Sequence, residues 1–133
     1  MRTVTTWLKD HRFESDHDGN SIKIDGNKEE GHGPKALLLS ALAGCSGIDV
    51  VDILRKMRVG FSSFVMEAEA EQTEENPKVF KEILVTYKIK TAEKNEEKVR
   101  KAIDLSLEKY CGVSAMLRKN SPIRYKLVIE PRD

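Results

Sequence analysis

The stretch ALAGCSGIDVVDILRKM, residues 41–57, carries the strongest structural signal in the chain. Its apolar residues are spaced as in a helix, yet Cys45 stands between two glycines, Gly44 and Gly47. Glycine inside a helix costs roughly 1 kcal/mol relative to alanine. The pattern therefore predicts a helix that some other group approaches very closely near Cys45.

This helix is predicted to run from about Lys35 to about Arg58, with Pro34 in its first turn and Gly60 as its terminator. The segment 37–43 is apolar nearly all round, which is typical of a helix buried on most faces. In so short a chain, such burial implies that other copies of the chain help to cover the helix.

The rest of the chain alternates between strand-like and helix-like patterns. Three short strands, with a turn at Asp18-Gly19, precede the long helix, and a hairpin follows it. Two more helices and a final strand complete the order β-β-β-α-β-β-α-α-β. This order predicts an α+β fold with mainly antiparallel pairing, in one domain spanning residues 1–133.

The composition excludes several classes of protein. The 133 residues carry a formal net charge of +1, which gives no overall attraction to nucleic acid or to an anionic membrane. No signal-peptide pattern opens the chain, and the apolar run 36–51 is interrupted by Asp49 and short for a membrane span. Two cysteines are too few for a disulfide-stapled secreted fold, so a cytoplasmic location is expected. The three histidines lack the spacing of a ligand pair, so neither a metal nor another cofactor is expected.

Cys45 has two possible roles. Asp49 and Asp52 follow it by four and seven residues, so all three side chains share one face of the helix. A carboxylate beside a thiol disfavours the thiolate, and a reactive Cys45 would need a cation such as Arg12 or Lys35. The alternative is that Cys45 only fills space in the core.

Cys111 directly precedes Gly112 and is predicted to stand at the N-terminal end of a short third helix. Exposed N–H groups at that position lower the pKa of a thiol, although a packing role is the alternative here as well. The residues 44–47 also match the GxxG pattern that some RNA-binding domains use. They lie in an apolar helix and include no basic residue, so no nucleic-acid partner is expected.

Two segments, GPKALLLSALAGCSGIDVV and DLSLEKYCGVSAML, resemble the OsmC/Ohr family of thiol-dependent hydroperoxide reductases. The resemblance covers nearly the whole chain and is greatest to the YhfA-like branch. It implies an OsmC-like fold, in which sheets wrap around a central helix that bears a cysteine. It also implies an intertwined homodimer with two equivalent sites at the subunit interface.

The resemblance further implies a reaction. Cys45 would attack an organic hydroperoxide and become a sulfenic acid, and Cys111 would condense with it to a disulfide. An external dithiol, of the lipoyl type in the family, would then reduce the disulfide. Arg12, with Lys35, would orient or activate the Cys45 thiolate.

The chain departs from the family pattern at two points. Lys35 stands where the hydroperoxide reductases carry a glutamate that pairs with an arginine, and Cys111 lies in CGVS rather than in a CPYS-like context. These departures predict weak peroxidase activity or a different substrate. The alternative function is a dimeric protein that binds an apolar small molecule and lacks peroxidase activity.

Overall fold

The computed structural model describes residues 1–131 of the chain. They group into two compact units, residues 1–39 and residues 40 onward, with the boundary inside the longest helix. The single domain expected for residues 1–133 therefore stays a prediction.

The N-terminal unit contains a three-stranded antiparallel sheet in the order β1-β2-β3. The strands span Val4–Lys9, Arg12–His17 and Asn20–Asp25. Asp18 and Gly19 have φ values of 48° and 80° and join β2 to β3, which confirms the predicted Asp-Gly hairpin turn.

Helix α1, Pro34–Lys56, begins as predicted and ends earlier than predicted. Gly60 is not its terminator. Arg58 adopts the left-handed conformation, with a φ of 58°, and the Val59 amide donates to the Leu54 carbonyl over 2.9 Å. This bond closes the helix as a terminal glycine usually does, so a non-glycine residue takes the strained conformation here.

Within one chain, α1 buries a single stripe rather than most of its faces. The fully buried residues of the helix are Leu42, Ser46, Gly47, Val50 and Leu54. Leu38 and Ile48 keep 44% and 65% of their surface exposed. The predicted burial on most faces, to which other copies of the chain contribute, therefore stays a prediction.

By length and composition, α1 is also apolar enough to cross a membrane, and 28% of its most apolar window is buried. Core helices of soluble proteins meet the same criterion, so this property is weak evidence for a membrane location.

The C-terminal unit contains a second three-stranded sheet in the order β4-β5-β6. Its strands are Ser63–Gln72, Phe80–Thr91 and Ile123–Pro131, and β4 pairs antiparallel with β5 while β5 pairs parallel with β6. Between β5 and β6 lie helix α2 (Glu96–Leu105), a π-helical turn (Ser106–Tyr110) and helix α3 (Gly112–Leu117). Three of the four strand pairings are antiparallel, which confirms the predicted α+β class.

The core of this unit forms between β5 and the helices. Alternate residues of β5 are completely buried, namely Ile83, Val85, Tyr87 and Ile89. The apolar stripe of α2, formed by Val99, Ala102 and Ile103, is buried as well. This core fixes α1 and the segment after α2, the two parts of the unit that carry the cysteines.

Candidate functional site

The two cysteines come together in the C-terminal unit. Cys45 lies on α1 and is half-buried, whereas Cys111 joins the π-helical turn to α3 and is 3% exposed. Both are free thiols. Burial, followed by a hydrogen bond with the Cys45 side chain, raises the pKa of the Cys111 thiol. The fold therefore makes neighbours of two thiols that are distant in sequence.

Backbone geometry around the π-helical turn sets the position of Cys111. The Cys111 amide donates to the Ser106 carbonyl over 2.7 Å, a bond one residue longer than in an α-helix. Cys111 then leaves the helical conformation, with φ −75° and ψ 105°, and its Sγ accepts a hydrogen bond from the Ser114 amide over 3.3 Å. The predicted place of Cys111 at the start of the third helix is confirmed.

The predicted direction of its pKa shift is wrong. Hydrogen bonds from Ser114 lower the pKa of Cys111, but burial and the Cys45 side chain raise it by more. Helix α3 has only six residues, and its field is too weak to offset the loss of water around the sulfur.

A row of buried hydroxyl groups runs beside the cysteines. The Ser46 Oγ lies 2.7 Å from the Tyr87 hydroxyl and 2.9 Å from the Ser106 Oγ, and the Ser106 Oγ lies 3.0 Å from Asp49 Oδ2. Burial raises the pKa of Tyr87 to about 12, so its hydroxyl stays protonated at neutral pH. Asp49, whose role the sequence leaves open, accepts a hydrogen bond from the Ser106 hydroxyl.

Sequence reasoning did not assign a site role to Ser46, Tyr87 or Ser106. The one available signal is that each is a polar residue at a buried position of its helix or strand. Which hydroxyl groups meet depends on long-range packing, since Ser106 contacts α1 from across the unit.

Arg12 and Lys35, the two predicted cations, belong to the N-terminal unit. The Arg12 guanidinium lies 3.6 Å from Asp25 Oδ2, and 3.4 Å from a carboxylate oxygen of both Glu29 and Glu30. Lys35 lies exposed in the first turn of α1. Their roles toward Cys45 stay predictions.

Asp25 organises the loop around Arg12. Its carboxylate accepts hydrogen bonds from the amides of Asn27 and Glu30 over 2.8 and 3.1 Å. The Asn27 amide is the largest cause that holds the pKa of Asp25 below its ordinary value, and Arg12 contributes in the same direction. Arg12 is therefore held by an ordered acidic loop, although the sequence alone shows only the spacing of these acids.

The two glycines beside Cys45 have different surroundings. A Cβ on Gly47 would come within 2.5 Å of Met66 Cε, whereas a Cβ on Gly44 would meet no described atom within 4 Å. The missing Cβ of Gly47 thus leaves room for the end of the Met66 side chain of β4. Gly44 opens onto an apolar groove of about 320 Å³, lined by Gly44, Gly47, Ile48, Val51, Asp52, Phe64 and Met66.

The chain is similar to known proteins over most of its length. A family model for "OsmC-like protein" matches residues 26–126. Protein YhfA of Escherichia coli K12 is 34% identical over 121 residues, which cover 90% of each chain.

Two solved structures have the same fold. A hypothetical protein from Aquifex aeolicus superposes with a TM-score of 0.88 at 27% identity, covering 99% of this chain and 97% of the other. The organic hydroperoxide resistance protein OhrB of Bacillus subtilis gives a TM-score of 0.65 at 20% identity, covering 95% and 96%. At that identity the second likeness establishes the fold alone.

Proposed function

Because the chain belongs to the OsmC-like protein family, we propose that it is a two-cysteine peroxidase that reduces organic hydroperoxides in defence against oxidative stress. The observation that carries the proposal is the proximity of the two thiols, since the Cys45 side chain is close enough to raise the pKa of Cys111. The shared fold with a protein named for organic hydroperoxide resistance supports the choice of substrate.

Exposure supports the proposed order of the two thiols. Cys45 is the more accessible, so it meets the substrate, while buried Cys111 acts from behind it. The Cys45 thiolate attacks the terminal oxygen of R–O–O–H and breaks the O–O bond. The sulfur becomes a sulfenic acid, and the alkoxide leaves and takes a proton to give the alcohol.

Cys111 completes the cycle. Its sulfur attacks the sulfenic sulfur, a disulfide forms, and the hydroxyl leaves with one proton as water. An external dithiol, of the lipoyl type by family resemblance, then reduces the disulfide by exchange and becomes a disulfide itself. Because the pKa of Cys111 is raised, its thiol is still protonated when it approaches the sulfenic acid of Cys45. It loses the proton as the S–S bond forms.

We assign Arg12 and Lys35 the task of orienting or activating the Cys45 thiolate. The contacts of Arg12 with Asp25, Glu29 and Glu30 support a fixed orientation of its guanidinium. A planar guanidinium with several partners is better suited to a defined geometry than an ammonium group.

The proposed enzyme is a cytoplasmic homodimer. Exposed Ile48 and the apolar groove beside Gly44 support this assembly, because monomeric proteins rarely expose a large contiguous apolar surface. Sedimentation at micromolar concentration tests it, and a mass of one chain would contradict it.

The experiment for the activity counts thiols. The reduced protein receives one equivalent of cumene hydroperoxide, and free thiols and intact mass are followed alongside Cys45→Ser and Cys111→Ser. The proposal expects rapid loss of both thiols in the wild type, with a mass decrease of two hydrogens. Cys111→Ser should stop at a sulfenic acid that dimedone traps, and Cys45→Ser should not react. Survival of both wild-type thiols in excess peroxide would refute the proposal.

The apolar groove beside Gly44 favours a second function, namely the binding of an apolar small molecule without peroxidase activity. Its lining is almost entirely apolar and includes the exposed Ile48. A solvatochromic apolar dye whose binding is unchanged in Cys45→Ala and Cys111→Ala, together with absent peroxidase activity, would favour this alternative.

A further inference from the structure

One completely buried serine connects the two segments that carry the cysteines. The Ser106 carbonyl accepts the Cys111 amide over 2.7 Å. Its hydroxyl lies 2.9 Å from the Oγ of Ser46, the neighbour of Cys45, and 3.0 Å from Asp49 Oδ2. Ser106 is thus bonded to α1 through its side chain and to Cys111 through its backbone.

The hydrogen bonds of Ser106 have a defined direction. A hydroxyl has one proton, and an ionised carboxylate only accepts, so Ser106 donates to Asp49. Ser106 Oγ is also the donor toward Ser46 Oγ, so its one proton is shared between two acceptors. The Ser46 Oγ in turn lies 2.7 Å from the Tyr87 hydroxyl. Of the two bonds that Ser106 makes to α1, the one to the carboxylate of Asp49 is the stronger.

The π-helical turn explains why the hydrogen bonds between Ser106 and α1 are important. A π-helical turn contains one residue more than a turn of α-helix. The segment from Ser106 to Cys111 therefore has a regular α-helical turn as an alternative conformation. The side-chain bonds of Ser106 hold the start of the turn against α1. Release of these bonds would let the Cys111 thiol move relative to Cys45.

We propose that Ser106 is a positioning residue that holds Cys111 beside Cys45 for disulfide formation, with Asp49 as its anchor on α1. The proposal rests on the two-cysteine redox function proposed above. It concerns the pairing of the thiols and not the attack on peroxide, so the two can be tested separately.

The test measures the thiol pair without hydroperoxide. Reduced protein is equilibrated with mixtures of glutathione and glutathione disulfide, in which two protein thiols and one glutathione disulfide give the protein disulfide and two molecules of glutathione. The equilibrium constant is the effective concentration of one cysteine toward the other. Ser106→Ala and Asp49→Asn are compared with Ser121→Ala, a control that removes another buried hydroxyl, bonded to the Phe80 carbonyl over 2.8 Å.

Ser106→Ala should lower the effective concentration about tenfold, as expected for one lost hydrogen bond to a charged group. Asp49→Asn keeps an acceptor oxygen and should lower it about threefold. Ser121→Ala should stay within about twofold of the wild type, although it too loses stability. If Ser106→Ala fails to fold, Asp49→Asn against Ser121→Ala decides.

Equal effects of Ser106→Ala and Ser121→Ala, or no effect of Ser106→Ala and Asp49→Asn, would overturn the positioning role. A wild type that forms no disulfide with glutathione would overturn it as well. A wild type that exchanges with glutathione but ignores cumene hydroperoxide refutes the peroxidase alone, and the ratios among the variants still decide the role of Ser106.

Discussion

The backbone amide of Ser114 donates a hydrogen bond to the Sγ of Cys111 over 3.3 Å. A side chain that caps a helix is normally an oxygen acceptor, and here a sulfur takes that place. The contact stabilises a thiolate, yet the sulfur is so deeply buried that the pKa of Cys111 is raised. The resolving thiol of the proposed cycle is therefore kept protonated by its surroundings.

The pH dependence of Cys111 alkylation follows from this arrangement. In Cys45→Ser, the rate of reaction with iodoacetamide should rise with pH along a curve whose midpoint lies above the ordinary thiol value of 9.0, because the thiolate is the nucleophile. The same variant unfolded in guanidinium chloride should titrate at the ordinary value. A midpoint below that of the unfolded protein would show that the helix and the Ser114 amide outweigh burial.

Removal of the Tyr87 hydroxyl should have a cost that depends on pH. Burial raises the pKa of Tyr87 from 10.0 to about 12, so the folded state holds a proton that the unfolded state releases first. The stabilisation is fully present below pH 10 and is lost as pH rises toward 12. Tyr87→Phe also deprives Ser46 of a hydrogen bond, which costs about 1 kcal/mol.

Urea denaturation of wild type and Tyr87→Phe at pH 7 and pH 10.5 measures this effect. The free energies of unfolding should differ by about 1 kcal/mol at pH 7, and the difference should shrink at pH 10.5. Tyr110→Phe, at an exposed position, is the matched control and should show neither effect. A difference that grows with pH would contradict the shift.

Sequence patterns predicted the strands, the long helix and the places of both cysteines in these elements, because each of these features gives a local or periodic signal. Long-range packing decided the rest. The meeting of Ser46, Tyr87 and Ser106 depends on how α1 and the π-helical turn rest on β5, and no spacing in the sequence encodes it. The pKa of Cys111 was mispredicted for the same reason, since a helix end is visible in the sequence and burial of a sulfur is not.

Replacement of Arg12 by lysine tests whether a fixed guanidinium matters for Cys45. Lysine keeps the charge but cannot contact Asp25, Glu29 and Glu30 together as Arg12 does. We expect the rate of Cys45 oxidation by cumene hydroperoxide to fall by at least about tenfold. Lys9→Ala, which removes a cation from the strand position paired with Arg12, is the control and should leave the rate unchanged. Equal rates in wild type and Arg12→Lys would exclude Arg12 from the site.

Gly44→Ala distinguishes a free helix face from one that a partner covers. In the single chain, a Cβ on Gly44 meets no described atom within 4 Å, so alanine there should stabilise the helix by about 1 kcal/mol. A homodimer that packs against this face has no room for the methyl group. We therefore expect Gly44→Ala to weaken dimerisation at least about tenfold while leaving helicity unchanged.

Sedimentation equilibrium measures the dimerisation of Gly44→Ala, and circular dichroism measures its helicity. Ala41→Gly, which removes a methyl group one turn earlier at an exposed position of α1, should lower helix stability without closing space at the interface. A Gly44→Ala variant that is more stable and dimerises like the wild type would show that the partner does not pack at Gly44, and the reason for this glycine would then have to be the apolar groove beside it.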